Sequence, residues 1–412
     1  MRWPAATMAR MGAVAVSGFV AGSVVMLALQ SPAVEPAPGR GGASRNGGGR
    51  EPTTLPSVTP EEPETFLAWV PGGLPPGFGE AVARIPGMRR SVIVRSGVGW
   101  LARSYSSQGE LVDEAPRGLG YPLEVAVVPP GGYAPFLPPG DRGVVVPLAD
   151  GEAVLGESGA HLRGLGPGAT LVFRRPGGGP GVVRIGVAAV LPDELVGAHE
   201  VMISYATGLR LGIRLDRYAL LHPAERIQSD LADRIMAATP GDLLLRTRAP
   251  GQTRYFRQGD AILPPIRLKE LFGEFAGRPV ADGYIESDPG WVSRNIVTER
   301  VPILGEVRCH RALFPQLRAA LREAARRGLA GTIDPSHYGG CYASRFVNRI
   351  PVLGISHHAW GIAIDVNVAE NPYGAPPNQD PRLVGAFRRH GFLWGGDWLL
   401  PDGMHFEFDR FA

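Results

Sequence analysis

Glycine and proline set the grain of this chain. With 57 glycines and 40 prolines among 412 residues, turns and linkers take a large share of the length. Between Glu64 and Asp288, short β-branched runs recur between these breaks: Ser91–Arg95, Leu123–Val128, Gly143–Pro147, Ala169–Phe173, Val182–Val187, Val201–Tyr205 and Leu209–Leu215. That rhythm predicts a mostly β domain over residues 63–288, an antiparallel sandwich or small barrel. One helix is expected there, from Ala224 to about Ala238, after Pro223. No catalytic constellation is legible in this stretch, so a spacer or partner-binding role is the expectation.

The two ends differ from this middle. Arg2 and Arg10 precede Met11–Gln30, a run without a charge. About 20 helical residues at about 1.5 Å each span a hydrocarbon core of about 30 Å. Residues 1–30 therefore read as a signal anchor, with a cleaved signal peptide as the alternative because Ser31-Pro32-Ala33 is a passable cleavage site. In either case the arginines stay inside and the rest is exported, and the anchor form makes the membrane a partner. Residues 31–62, rich in Pro, Gly, Ser and Glu, read as a disordered tether. The net charge is +3 and the arginines are scattered, which argues against nucleic acid as a partner. The two cysteines, Cys309 and Cys341, predict one disulfide in an exported protein.

From residue 289 the pattern changes. Leu313, Leu317 and Leu321 recur at four-residue spacing and predict a helix over Ala312–Arg327, stopped by Gly328. A second helix should start at Asp380-Pro381 and end at Gly391. In Gly361–Val368, Ile362, Ile364, Val366 and Val368 alternate with Ala363, Asp365 and Asn367, which predicts a strand with one small or polar face. Near the C-terminus, Met404, Phe406 and Phe408 alternate with His405, Glu407 and Asp409. Two neutral imidazoles and one carboxylate, with a fourth position left to water, make a catalytic zinc site. Zinc lowers the pKa of a bound water toward about 7, and a nearby carboxylate is then needed to take its proton. Asp402, three residues before His405, is placed for that, and Glu407 could orient His405 from behind. Zinc is favoured, although ligand type alone does not exclude other divalent ions. His357 would point away on an extended chain, and His310, His337 and His390 lack partners at ligand spacing. Trp394, Trp398 and Asp397 could line a groove or close the core, and Arg349 stands in reserve for Arg345.

The run Ser356-His-His-Ala-Trp-Gly-Ile-Ala-Ile-Asp365 fits S-x-H-x-x-G-x-A-x-D, and Gly391–Trp398 and Asp402–Glu407 follow in order. From about Pro302 to Phe408 the chain resembles the zinc D-alanyl-D-alanine carboxypeptidases of the VanY type and their endopeptidase relatives, including phage endolysins. The resemblance implies a small α+β domain over residues 289–412, an antiparallel sheet with helices packed on one side. It implies His358, Asp365 and His405 as zinc ligands, Asp402 as general base, Arg345 as oxyanion stabiliser and Ser356 as a supporting hydrogen-bonding residue. Several relatives carry Glu at the position of Asp402. The expected substrates are peptidoglycan stem peptides, and a wall-binding module that keeps zinc without turnover is the alternative. The segment Gly151–Gly168 with Val182–Val187 also bears a slight resemblance to extracytoplasmic domains of bacterial transporter permeases.

Overall fold

The computed structural model describes residues 64–412, apart from 180, 261 and 262. The signal or anchor segment and the tether expected over residues 1–62 lie outside the described residues. Among those described, no helix is long and apolar enough to cross a membrane. Residues 61–412 form one compact unit, with a large sheet in its N-terminal part and a small sheet near its end.

The large sheet is organised by one strand of 18 residues, Met88–Tyr105. Its first half pairs with Asp216–Pro223, its middle with Tyr121–Val128 and its last residues with Thr170–Arg174. From Tyr121–Val128 the pairing runs through Val201–Ser204, Ala153–Gly156 and Val182–Leu191 to Thr170–Arg174, and so returns to the long strand. Six strands thus close on themselves, which removes their free edges. The closure is not purely antiparallel. Tyr121–Val128 with Val201–Ser204, and Ala153–Gly156 with Val182–Leu191, are parallel pairs.

Alternation along the strands explains the packing. Leu123, Val125 and Val127 join Leu171, Phe173, Ile185, Val201 and Ile203 in one buried cluster. Their neighbours Ala126, Val128 and Met202 fall in another, with Tyr133, Leu137, Val145 and Leu148. Strands buried on both faces read as continuous apolar runs, not as alternating ones. Phe66–Trp69 and Arg246–Arg248 extend the sheet beyond the ring.

Three expectations fail here. Gly143–Pro147 is not a strand but part of a 3-10 segment, Pro139–Asp150, whose Val145 and Leu148 cover the sheet. Leu209–Leu215 is the end of helix Tyr205–Arg210 and a turn through Gly212. The helix expected over 224–238 is broken into a 3-10 turn, Glu225–Ile227, and a helix, Leu231–Ala238.

In the C-terminal part, Ala363–Asp365, His405–Phe408 and Phe392–Trp394 make a three-stranded antiparallel sheet with His405–Phe408 in the centre. Helices Phe314–Arg326 and Pro381–Arg389 pack on its apolar side, where Leu317, Leu321, Leu383 and Phe387 meet Ile364, Phe392, Phe406 and Phe408. Asp380 caps the second helix by accepting from the Arg382 N–H, and Gly391 follows at φ 77°. This core also takes in Leu268, Phe272 and Phe275, upstream of residue 289. The strand expected over Gly361–Val368 is shorter, because the chain turns left-handed at Asn367 (φ 54°). Asn367 then points inward and holds the Asp334 N–H, the Thr332 carbonyl and the Gln379 side chain, so it does not share the face of Asp365.

Candidate metal centre

The register of the small sheet brings the candidate ligands together. Asp365 lies directly opposite His405, and Ala363 opposite Glu407. Directly opposed side chains on one face are within reach of each other. His358 arrives from a 3-10 turn, His357–Trp360, just before the first of these strands. One donor atom each from His358, Asp365 and His405 lies within 4.8 Å of the others. His358 Nε2 is 3.2 Å from Asp365 Oδ2, and His405 Nδ1 is 3.0 Å from Asp365 Oδ1.

Supporting contacts set which nitrogen faces inward. His358 Nδ1 is 2.8 Å from the carbonyl of Cys341. A carbonyl can only accept, so Nδ1 carries the proton and Nε2 presents its lone pair to the cluster. That buried Nε2 makes no aligned hydrogen bond among the described residues. His405 Nε2 lies 3.2 Å from Glu407 Oε2, which leaves Nδ1 for the cluster. A buried donor set of two imidazoles and a carboxylate, with a ring nitrogen left unsatisfied, fits a divalent metal ion.

Cys341 is bonded to Cys309, with Cα atoms 5.4 Å apart. The bridge thus ties the carbonyl that orients His358 to the strand Gly305–His310. The neighbouring glycines matter for the same reason. A Cβ on Gly339 would lie 2.6 Å from Val368 Cγ1 and 2.9 Å from Asp365 Cβ, so only glycine lets this loop lie against the Asp365 strand.

Electrostatics follow from burial and crowding. Burial pushes the Asp365 carboxyl up, but the His358 and His405 imidazoles outweigh it and hold it well below the usual carboxylate range. Burial pushes His405 down, and hydrogen bonds to Asp365 and Glu407 overcome this and raise it to about 10. Burial likewise opposes the Glu407 charge, yet His357 and His405 hold that carboxyl low. Asp402 differs. Its carboxyl is raised by burial, with the Asp365 charge adding to the effect and His405 opposing it. Its Oδ1 is buried without a hydrogen-bond partner among the described residues. A carboxylate held short of hydrogen bonds is a better proton acceptor than an exposed one.

The remaining predicted residues fall into two groups. Ser356 caps the 3-10 turn by accepting from the His358 N–H at 3.4 Å, and its own N–H donates to the Arg345 carbonyl at 3.1 Å. Arg345, Ser356, His358, Asp402, His405 and Glu407 all line one cavity of about 260 Å³. The other candidates are elsewhere. His310 donates to the Phe272 carbonyl, His337 contacts Glu370, and His390 contacts Glu323. Trp394 donates to the Gly403 carbonyl and stacks on Phe406, whereas Trp398 faces the cavity with its ring 5.2 Å from that of His405. Asp397 is taken by Arg388, and exposed Arg349 lies over the Tyr284 ring. His357 belongs to the site after all. Its Nδ1 lies 2.7 Å from Glu407 Oε2, because the chain here is a 3-10 turn and not extended. The second histidine of the His-His pair was the only sequence signal for it.

Residues 353–408 match the family of D-alanyl-D-alanine carboxypeptidases. Over this segment the chain is similar to a peptidase family, and it carries a His-Asp-His set able to hold a metal ion. The match spans Ser356, His358, Asp365, Asp402, His405 and Glu407, and ends short of Arg345 and both cysteines. No curated protein matches the chain. Among solved structures, the extracellular domain of a noncanonic ABC-type transporter, YknZ, from Gram-positive bacteria matches at 10% identity and a TM-score of 0.29. It covers 45% of this chain and 99% of that one. A TM-score this low does not establish a shared fold.

Proposed function

We propose that the protein is a zinc metallopeptidase acting outside the cytoplasm on peptidoglycan stem peptides, cleaving D-Ala-D-Ala or a neighbouring bond. The observation that carries this is the His-Asp-His set, whose His358 and His405 line one cavity with Asp402 and Arg345, within and beside the segment that matches the family. His358, Asp365 and His405 would hold the ion. When bound, zinc would supply Lewis-acid polarisation and acidify the attacking water.

The chain's own groups do the rest. Asp402, desolvated and short of hydrogen bonds, accepts a proton from the attacking water and returns it to the departing amine. Arg345 offers a cation to the developing oxyanion. Glu407 holds His405 in register, and His357 holds Glu407. The uncharged run Met11–Gln30 supports export, with membrane anchorage or release depending on cleavage.

Product analysis of the zinc-loaded full chain on a muramyl pentapeptide tests the reading. Release of D-alanine by the parent and not by Asp402→Ala is the expected result. Bound zinc with no cleavage of any stem-peptide bond would move the protein to the wall-binding alternative.

A further inference from the structure

The cavity in front of the metal centre has walls from two parts of the molecule. One wall is the C-terminal region, with Arg345, His357, Trp398 and Asp402; the other comes from the large sheet, with Trp69, Glu124 and Arg217, and from the loop after its strand Arg246–Arg248, with Arg257 and Asp260. The family match does not extend to that second wall.

Its charges do not balance. Asp260 is matched by Arg246 and Arg248. Glu124 is taken by Arg257, whose Nη2 reaches both carboxylate oxygens at 2.7 and 2.8 Å. Asp216, next in the chain, is occupied by Arg95 at 2.6 Å. Arg217 is left without a carboxylate within ion-pair distance among the described residues, and its one hydrogen bond is a long one, 3.4 Å to the Leu353 carbonyl. Burial lowers its pKa to about 10, with Glu124 opposing and Arg257 adding to the effect. Arg257 also keeps a buried Nη1 without a partner. A guanidinium has five N–H donors, and a desolvated one left unpaired is costly. That second wall thus carries two guanidinium groups against the single carboxylate of Glu124, with donors unspent beside a peptidase centre.

We propose that Arg217, supported by Arg257, anchors the free C-terminal carboxylate of the peptide whose scissile bond lies at the His358–Asp365–His405 cluster. The planar fork of arginine matches a carboxylate, and an amide in that place gives it no charge to bind. The inference rests on the metallopeptidase reading and selects a carboxypeptidase within it. The large sheet then becomes half of the substrate site.

The test uses the zinc-loaded full chain carrying Asp402→Ala, so that ligand survives, and a blocked peptide ending in D-Ala-D-Ala as free acid or C-terminal amide. Calorimetry should show the acid bound more tightly than the amide by about 10- to 100-fold, the range for a charge-assisted hydrogen bond. Adding Arg217→Gln should collapse that preference, and Arg217→Lys should keep part of it. Thermal unfolding of each variant verifies that the fold is kept. An unchanged acid-to-amide ratio in folded Arg217→Gln, or no preference in the Asp402→Ala protein, would overturn the proposal. Failure of the metallopeptidase reading would show separately, as absence of turnover in the chain without substitutions.

Discussion

At the scale of single residues, the geometry of the candidate metal ligands depends on groups outside the ligand set. Glu407 is buried between His357 and His405, so its carboxylate fixes which His405 nitrogen faces Asp365. Glu407→Gln should weaken zinc binding by about 10- to 100-fold, the usual cost of losing an outer partner of a metal ligand. Competition with a chelating dye measures it, and unchanged affinity would show that Glu407 is only filling space. Gly395 sets Asp402 in the same indirect way. A Cβ there would come within 2.7 Å of the Asp402 carbonyl and 3.0 Å of its Cβ, in a turn where Asp402 N–H already donates to Gly395. That Cβ would also lie 3.3 Å from the Cβ of His405, so Gly395→Ala should lower kcat by at least about tenfold by displacing the proposed general base Asp402, with any loss of zinc reporting the push on His405. Metal analysis beside steady-state kinetics separates the two effects.

At the scale of elements, the disulfide joins a strand to a loop whose carbonyl aligns a ligand. It closes a loop spanning 32 positions. Replacing both cysteines by serine should cost about 4 kcal/mol of stability in the chain-entropy model, read from denaturant midpoints. The same variant should bind zinc more weakly, because the Cys341 carbonyl loses its tether. The helix Pro265–Phe272 is the other joint. Its Lys269, fully buried, contacts Glu200 at 2.8 Å and Glu274 at 2.7 Å, and Glu274 also meets Arg163 at 2.5 Å. Lys269→Met strands two buried carboxylates, and breaking such a pair costs about 3–5 kcal/mol. A loss under 1 kcal/mol would mean that Arg163 alone satisfies them.

At the scale of the whole molecule, the two regions share contacts that make separation unfavourable. Leu399 N–H donates to Asp260 at 2.7 Å, and Trp100 of the long strand meets Phe346 edge-on at 6.5 Å. Stability should also depend on pH through buried histidines of both regions. Burial lowers His199 in the sheet region, and His310 in the C-terminal region, to about 4. A histidine whose folded pKa is depressed supports the fold fully above its unfolded pKa of about 6.5 and loses that support as pH falls toward 4. For His199 the loss should reach about 3 kcal/mol once pH is below both values. Urea midpoints between pH 7 and pH 4 check this, and His199→Gln should flatten the slope.

Sequence alone determined what periodicity and local chemistry encode. The alternation around Asp365 and His405, the leucines of helix Phe314–Arg326 and the spacing from Ser356 to Asp365 were legible because each depends on near neighbours in the chain. His357 was misread because a 3-10 turn and an extended chain aim adjacent side chains differently, and Gly143–Pro147 because an apolar run can cover a sheet as well as join it. Only the tertiary structure decided that the long strand closes a ring, that Asp365 stands opposite His405, and that Arg217 lines the same cavity as His358 and His405 from a part of the chain more than a hundred residues away. Those facts depend on pairing and packing between distant segments, and side-chain pattern within one segment carries no record of which segment it will meet.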